Sequence, residues 1–388
     1  EWRLSPLHAA ATWFAAGHGC GWIYISTLFA NKKRWEPSQQ SNVVGCVSCY
    51  FGVAATVWVA LLDSCFFGST TIKRGQCTGN VRHYFAVLAC LTLVIGLLGA
   101  KLTFVLPEEA AGELPPPHPN DRWGFRAMTT ATLLLIGFIC SSALYALEID
   151  GSIRDWTNYI IISFLTLYWL LPALIDGRWR SIWRPSGDLI RPSARPSSSV
   201  FPQQRKSVAP SAPPWLGPLE AICTARFWAL WFTFGVTVGG AILVLNIYSS
   251  IVISRGYPLR VASLAVILTM GCDTVTRYTA GVMVGLGVPA TKLVIAGPAL
   301  MTTGQLLLAV DRGPIAIYAA CLPIGMSDGL MWTLAPLIAG KAFGLRAVGR
   351  TFGLVVLAAA CVVLLLLFVV EPHVYQQHAL GGATDCYG

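Results

Sequence analysis

Residues 259–285 read LRVASLAVILTMGCDTVTRYTAGVMVG. As a helix, this stretch is long and apolar enough to cross a bilayer. It nevertheless carries Asp273 and Arg277, opposite charges four residues apart, near its middle. A charge at the centre of a membrane helix costs about 2.5–3.5 kcal/mol. The spacing puts both groups on one helix face, where each can neutralise the other. Charged residues at that depth are candidates for a functional site. The alternative is a fixed ion pair that locks helix packing.

The surrounding chain supports a membrane reading. Its 388 residues are 55% hydrophobic and only 12% charged, about half the charged share of soluble domains. Apolar stretches of roughly 20 residues recur along its whole length, which indicates an all-α polytopic membrane protein. The short alternating segments of a β-barrel are absent. The net charge of +9 falls mostly in short connections between apolar stretches. That pattern points to membrane orientation rather than nucleic acid.

Ten spans are expected, at 7–29, 43–67, 84–106, 127–147, 157–176, 227–250, 259–285, 293–310, 315–338 and 351–370. The basic clusters Lys32-Lys33-Arg34 and Lys341/Arg346/Arg350 place their connections in the cytoplasm. The first span then runs from outside to inside, and the C-terminal tail lies outside. Three regions follow. Residues 1–176 form an N-terminal bundle with an extra helix pair, and 227–388 form a C-terminal bundle. Between them, 177–226 is rich in Pro, Ser and Arg, as in RPSARPSSSVFPQQRKSVAPSAPPW, and reads as a disordered cytoplasmic linker. Such a linker is a plain tether or a docking site for a cytoplasmic partner. The chain begins with Glu, almost at once inside an apolar span. It shows no signal peptide and reads as a fragment.

Other polar residues within spans extend the candidate site. Asp328 is expected at about the depth of Asp273, with Trp332 four residues on and sharing its face. Pro323 and Gly325 mark a bend nearby. His18, between Gly17 and Gly19, faces either a polar cavity where it titrates or a neighbouring helix that bonds it. Asn246 contacts substrate or another helix, the latter being commoner. Gly235 and Gly239 form a small-xxx-small contact. Asp63 and Lys101 lie near span ends and reach the interface. Of the 12 cysteines, most lie in spans as small core residues. Cys46 and Cys49 form a C-x-x-C without partner ligands, so neither a metal nor another cofactor is expected. Cys65, Cys77 and Cys386 fall on the outer side, where one pair could be oxidised.

The stretch Met331–Phe352, MWTLAPLIAGKAFGLRAVGRTF, resembles the nodulin-like branch of the major facilitator superfamily. Trp332, Thr333, Leu334, Pro336, Phe343, Gly344, Arg346, Gly349 and Phe352 match or nearly match a W-S-L-x-P…S-E-x-F-G-x-[RK]-x-x-G-x-x-[FY] signature. Lys341 stands where that family usually has an acid, and Gln40 where it has a loop arginine. The region around Tyr24, Pro37 and Gly45 is similar to the same family. So is the tail with Asp385-Cys386-Tyr387. The resemblance implies a two-bundle fold of which about ten helices are present. The first three and the last one are then missing. Asp273-x-x-x-Arg277-x-x-x-Gly281 is similar to the eighth-helix motif of proton-linked monocarboxylate transporters. That likeness implies that Arg277 binds a substrate carboxylate and that Asp273 couples the proton.

The expected function is secondary active transport of a small organic anion, a pyruvate-like monocarboxylate carried with a proton by alternating access. Arg277, Asn246 and Trp332 would bind substrate. Asp273, Asp328 and His18 would carry the proton. An amino acid, nucleoside or metal-chelate is the alternative substrate. A non-transporting scaffold or sensor, or an inactive fragment, is the alternative from another class. No nucleophile–base–orienter set or phosphate loop suggests an enzyme. The family implies the plasma membrane, with an organellar membrane as the other location.

Overall fold

The computed structural model describes residues 216–310, 313–344 and 348–371, the helix at 40–61, and the isolated positions 24, 25, 28, 90, 130, 131, 134, 137 and 373. The spans expected at 84–106, 127–147 and 157–176 lie almost wholly outside these residues, as does most of 7–29. His18, Asp63, Lys101, Cys65, Cys77, Cys386, the linker up to 215 and the tail after 373 lie outside them too.

Every described element is helical. In chain order they are α1 (Gln40–Leu61), α2 (Pro218–Ile222), α3 (Ala225–Ser254), α4 (Leu259–Gly285), α5 (Ala290–Val310), α6 (Pro314–Phe343) and α7 (Val348–Leu365). A π-helical turn, Leu366–Val370, continues α7. Of the expected spans, the five from 227–250 to 351–370 are present as helices, four of them slightly longer, and α1 covers most of 43–67. Helix α3 starts before 227 because Thr224 caps it, its hydroxyl oxygen accepting from the Phe227 N–H at 3.3 Å. Helix α6 stops at Gly344, whose φ of 89° lies where only glycine sits without strain.

Among the described residues, four helices are long and apolar enough to cross a membrane: Ala225–Ser254, Ala290–Val310, Pro314–Phe343 and Val348–Val370. The protein is therefore an integral membrane protein. Large apolar side chains lie exposed on these helices, among them Phe232 on α3, Ile295 and Leu306 on α5, Leu322 on α6 and Leu364 on α7. Hydrocarbon is the solvent that suits such faces. Helix α4 has the bounds and length expected of a span. Much of its surface is covered by protein, with Ala262, Ala265, Thr269, Asp273, Thr274 and Ala280 all buried.

The linker reading also needs correction at its end. Residues 216–226 are ordered and belong to the bundle. Pro218 opens α2, and the Gly217 N–H donates to the Glu220 carboxylate at 2.8 Å. Ala221 is fully buried, and the Leu216 N–H donates to the Phe343 carbonyl at 3.3 Å. The stretch looked like linker because its sequence is short and rich in turn-forming residues. An apolar Leu-x-x-x-x-Ala-Ile pattern was too brief to register as a helix.

Two glycine-lined seams organise the packing. At the first, α3 lies against α7, and Gly235 and Gly239 sit on that contact as the small-xxx-small pattern predicts. A Cβ added at Gly239 would come within 2.9 Å of Val362, and one at Gly235 within 3.1 Å of Ala358. Phe234 and Phe352 close this side of the core. At the second, α4 lies between α1 and α6. Gly281 faces Gly45 so closely that a Cβ on Gly281 would lie 2.8 Å from the Gly45 Cα. On the opposite flank, Gly325 and Gly329 of α6 meet the backbone of α4 at Thr269 and Asp273. Side chains larger than hydrogen would hold these helices apart. Helix α6 runs unbroken through Pro323 and Pro336.

Candidate functional site

The middle of α4 brings together most of the charged candidates. Asp273, Arg277 and Asp328 are 0%, 2% and 3% exposed. The Arg277 Nε–H donates to both carboxylate oxygens of Asp273 at 2.8 Å. Asp328 approaches from α6, its Oδ2 lying 3.7 Å from Arg277 Nη2. That is an ion pair at longer than hydrogen-bond distance. Asp328 Oδ1 is buried and has no hydrogen-bond partner among the described residues. Two carboxylates thus flank one guanidinium.

Helix α1 supplies the third side. Arg277 Nη1 donates to the Ser48 hydroxyl at 3.3 Å and approaches the Ser48 carbonyl at 3.5 Å. The same hydroxyl is bonded to the Tyr24 hydroxyl at 3.0 Å. Tyr24 also donates to the Trp332 carbonyl at 3.4 Å. That carbonyl is free to accept because Pro336, four residues on, has no N–H to offer it. On the remaining flank, the Thr333 hydroxyl donates to the Arg277 carbonyl at 3.1 Å.

Aromatic rings cover the guanidinium. Its central carbon lies 5.3 Å from the Trp332 ring centre and 5.6 Å from that of Phe51, a cation–π distance to both. Tyr24 packs against both rings, edge-on to Trp332 at 5.6 Å and tilted against Phe51 at 5.0 Å. Phe234 reaches the far side of Trp332 at 5.3 Å. Phe51 is 40% exposed, so the cover is thinnest there. Gly52, next to it, lets α1 lie directly on Asp273. A Cβ at position 52 would come within 2.7 Å of Asp273 Oδ2.

Asp273, Arg277, Asp328 and Trp332 therefore form one cluster, as their positions suggested. Asn246 does not join it. It lies exposed on α3, and its side-chain amide donates to the Ile242 carbonyl of its own helix at 2.7 Å. Asn246 was a candidate as a polar residue toward the outer end of its span, but the face it occupies points away from the core. The buried polar groups on that helix are Thr237, which donates to the Thr233 carbonyl of its own helix, and Tyr248, bonded to Thr269 at 3.1 Å and near Cys321 at 3.6 Å. Cys46 and Cys49 are buried in α1. Among the described residues, no group of three His, Cys, Asp or Glu could hold a metal ion.

Ser48, Tyr24 and Phe51 are site residues that the sequence reading did not select. Ser48 is 229 positions from Arg277, and nothing local to an apolar span marks one serine as a ligand. Pro336 was a usable signal, since a proline inside a helix frees the carbonyl four residues back.

Compared with known protein families and with curated proteins, the chain matches none.

Proposed function

We propose that the chain belongs to a secondary active transporter that carries a small organic carboxylate together with a proton. The resemblances at 259–285 and 331–352 support a major-facilitator type of architecture, with the two halves joined through the linker. The observation that carries the reading is a buried arginine held between two carboxylates at the meeting of α1, α4 and α6. A packing lock needs one carboxylate. The second makes the cluster one negative charge in excess among the described residues, and a proton shared by the two acids balances it.

Arg277 is the carboxylate ligand in this scheme. Its charge is permanent, and its planar fork suits two-point binding. Nε is held by Asp273 and Nη1 by Ser48, so Nη2, facing Asp328 at 3.7 Å, is the position at which an incoming carboxylate competes. Arrival of the substrate displaces Asp328 from the guanidinium, and the displaced acid takes up a proton. Anion and proton then cross together. Trp332 and Phe51 cover the bound pair, and opening to either side requires α1 to move from α4. The connections rich in basic residues place the linker in the cytoplasm, and the family likeness favours the plasma membrane. No covalent chemistry is assigned to the site.

Uptake of radiolabelled pyruvate into proteoliposomes under an inward proton gradient tests the reading. Saturable uptake that collapses with a protonophore and is lost in Arg277→Ala is expected. Equal saturable uptake by both proteins would sink the role of Arg277. A scaffold would instead lose function on deletion of 177–215 and keep it in Arg277→Ala.

A further inference from the structure

We propose that the carboxylate held at this site carries a protonated amine on the neighbouring carbon, so that an α-amino acid binds in preference to a plain monocarboxylate. This rests on the reading of Arg277 as the carboxylate ligand and narrows which carboxylate it takes.

Two observations lead there. The first is the Asp328 carboxylate. One of its oxygens faces Arg277 Nη2, while the other, Oδ1, is buried without a hydrogen-bond donor among the described residues. A buried acceptor left unpaired is costly, and a ligand that supplies a donor removes that penalty. A pyruvate-like anion brings acceptors only. The second is the charge count. Asp273, Arg277 and Asp328 sum to one negative charge at less than 4% exposure each. A monocarboxylate would raise the buried excess to two unless a proton came with it, whereas a zwitterion leaves the charge unchanged by itself. Burying an unpaired charge is the most expensive step available to such a site.

Spacing selects the α-amino acid among zwitterions. The two protein groups are immediate neighbours, with Nη2 and Oδ2 at 3.7 Å. Their partners on the ligand must be neighbours as well, which a carboxylate and an amine on one carbon satisfy. The rings of Trp332 and Phe51, already within cation–π distance of Arg277, offer their remaining surface to the ligand's side chain.

Binding to the purified full chain in nanodiscs, followed by isothermal titration, tests this with L-alanine, propionate and ethylamine. Alanine is expected to bind at least about tenfold more tightly than propionate, the margin of one hydrogen bond to a charged group. Ethylamine should bind far more weakly than either. Asp328→Asn should erase the advantage of alanine while propionate affinity stays the same or improves. Asp328→Glu should restore part of it, which a mere folding defect would not. Equal affinities for alanine and propionate in the parent chain overturn the inference and leave the carboxylate site standing. So does an advantage that survives in Asp328→Asn. Failure of both ligands to bind overturns the carboxylate site, and this inference with it.

Discussion

The two glycine-lined seams use the same device for different ends. Between α3 and α7, Gly235 and Gly239 receive the side chains of Ala358 and Val362, with the Ala358 and Ala359 carbonyls beside them, and the side chains that meet at these glycines are apolar. Between α1, α4 and α6, glycines receive backbone atoms and a carboxylate, and the space they close holds three ionisable groups. Close approach in the first seam gains dispersion contacts. In the second it excludes other partners from a guanidinium and two acids. Small residues at a helix contact therefore do not reveal what the contact is for. The polar groups they enclose do.

The largest effect expected on this contrast comes from Arg277→Leu. It leaves two buried carboxylates without their cation and should destabilise the protein by about 3–5 kcal/mol, read as a lowered thermal midpoint in detergent. Replacing Asp273, Arg277 and Asp328 together by Leu should recover most of that loss while uptake stays abolished. If the triple variant is as unstable as the single one, the cluster is a structural necessity rather than a site that sacrifices stability.

Next in size, Gly281→Val should cost more than Gly239→Val. Overpacking costs about 1–3 kcal/mol, and the neighbours of Gly281 are backbone atoms, at 2.7 and 2.8 Å from an added Cβ. Those of Gly239 include a valine side chain that can turn. Equal losses in thermal unfolding would remove the distinction between the seams. A smaller effect is expected from Ser48→Ala, which removes one acceptor of the Arg277 Nη1 bond. It should lower stability by about 1 kcal/mol and raise the KM for uptake more than it lowers kcat. The smallest belongs to Asn246→Ala. Its exposed amide bonds only its own helix, so stability should change by less than about 0.5 kcal/mol and uptake not at all. A clear loss of uptake there would return Asn246 to the site.

These residues also show where the sequence was readable. The bounds of α4 could be taken from its apolar run. Asp273 and Arg277 were joined by helical spacing, and Asp328 by depth, because charges in an apolar stretch have few tolerable partners. Trp332 followed from its spacing to Asp328. Asn246 misled because a polar residue's presence in a span does not fix its direction around the helix. Tyr248, two residues on and roughly 200° round the helix, is the one that turned inward. Ser48, Tyr24 and Phe51 come from the far end of the chain, and only tertiary packing brings them to Arg277. The order at 216–226 was hidden for a related reason. A five-residue helix has too few turns to show a period, and its stability comes from the bundle it rests on.

Helix α4 has glycine or backbone opposite it on two flanks, and this limits how its sequence can drift. At Gly45, Gly281, Gly325 and Gly329 the tolerated alphabet is close to one letter, since even alanine meets a neighbouring helix. Variation on those faces can proceed only by paired changes that move a whole helix. The lipid-facing positions of α5 and α7 are free to exchange one apolar residue for another. Among related chains, the seam around Arg277 should thus be the slowest-changing part of the membrane domain.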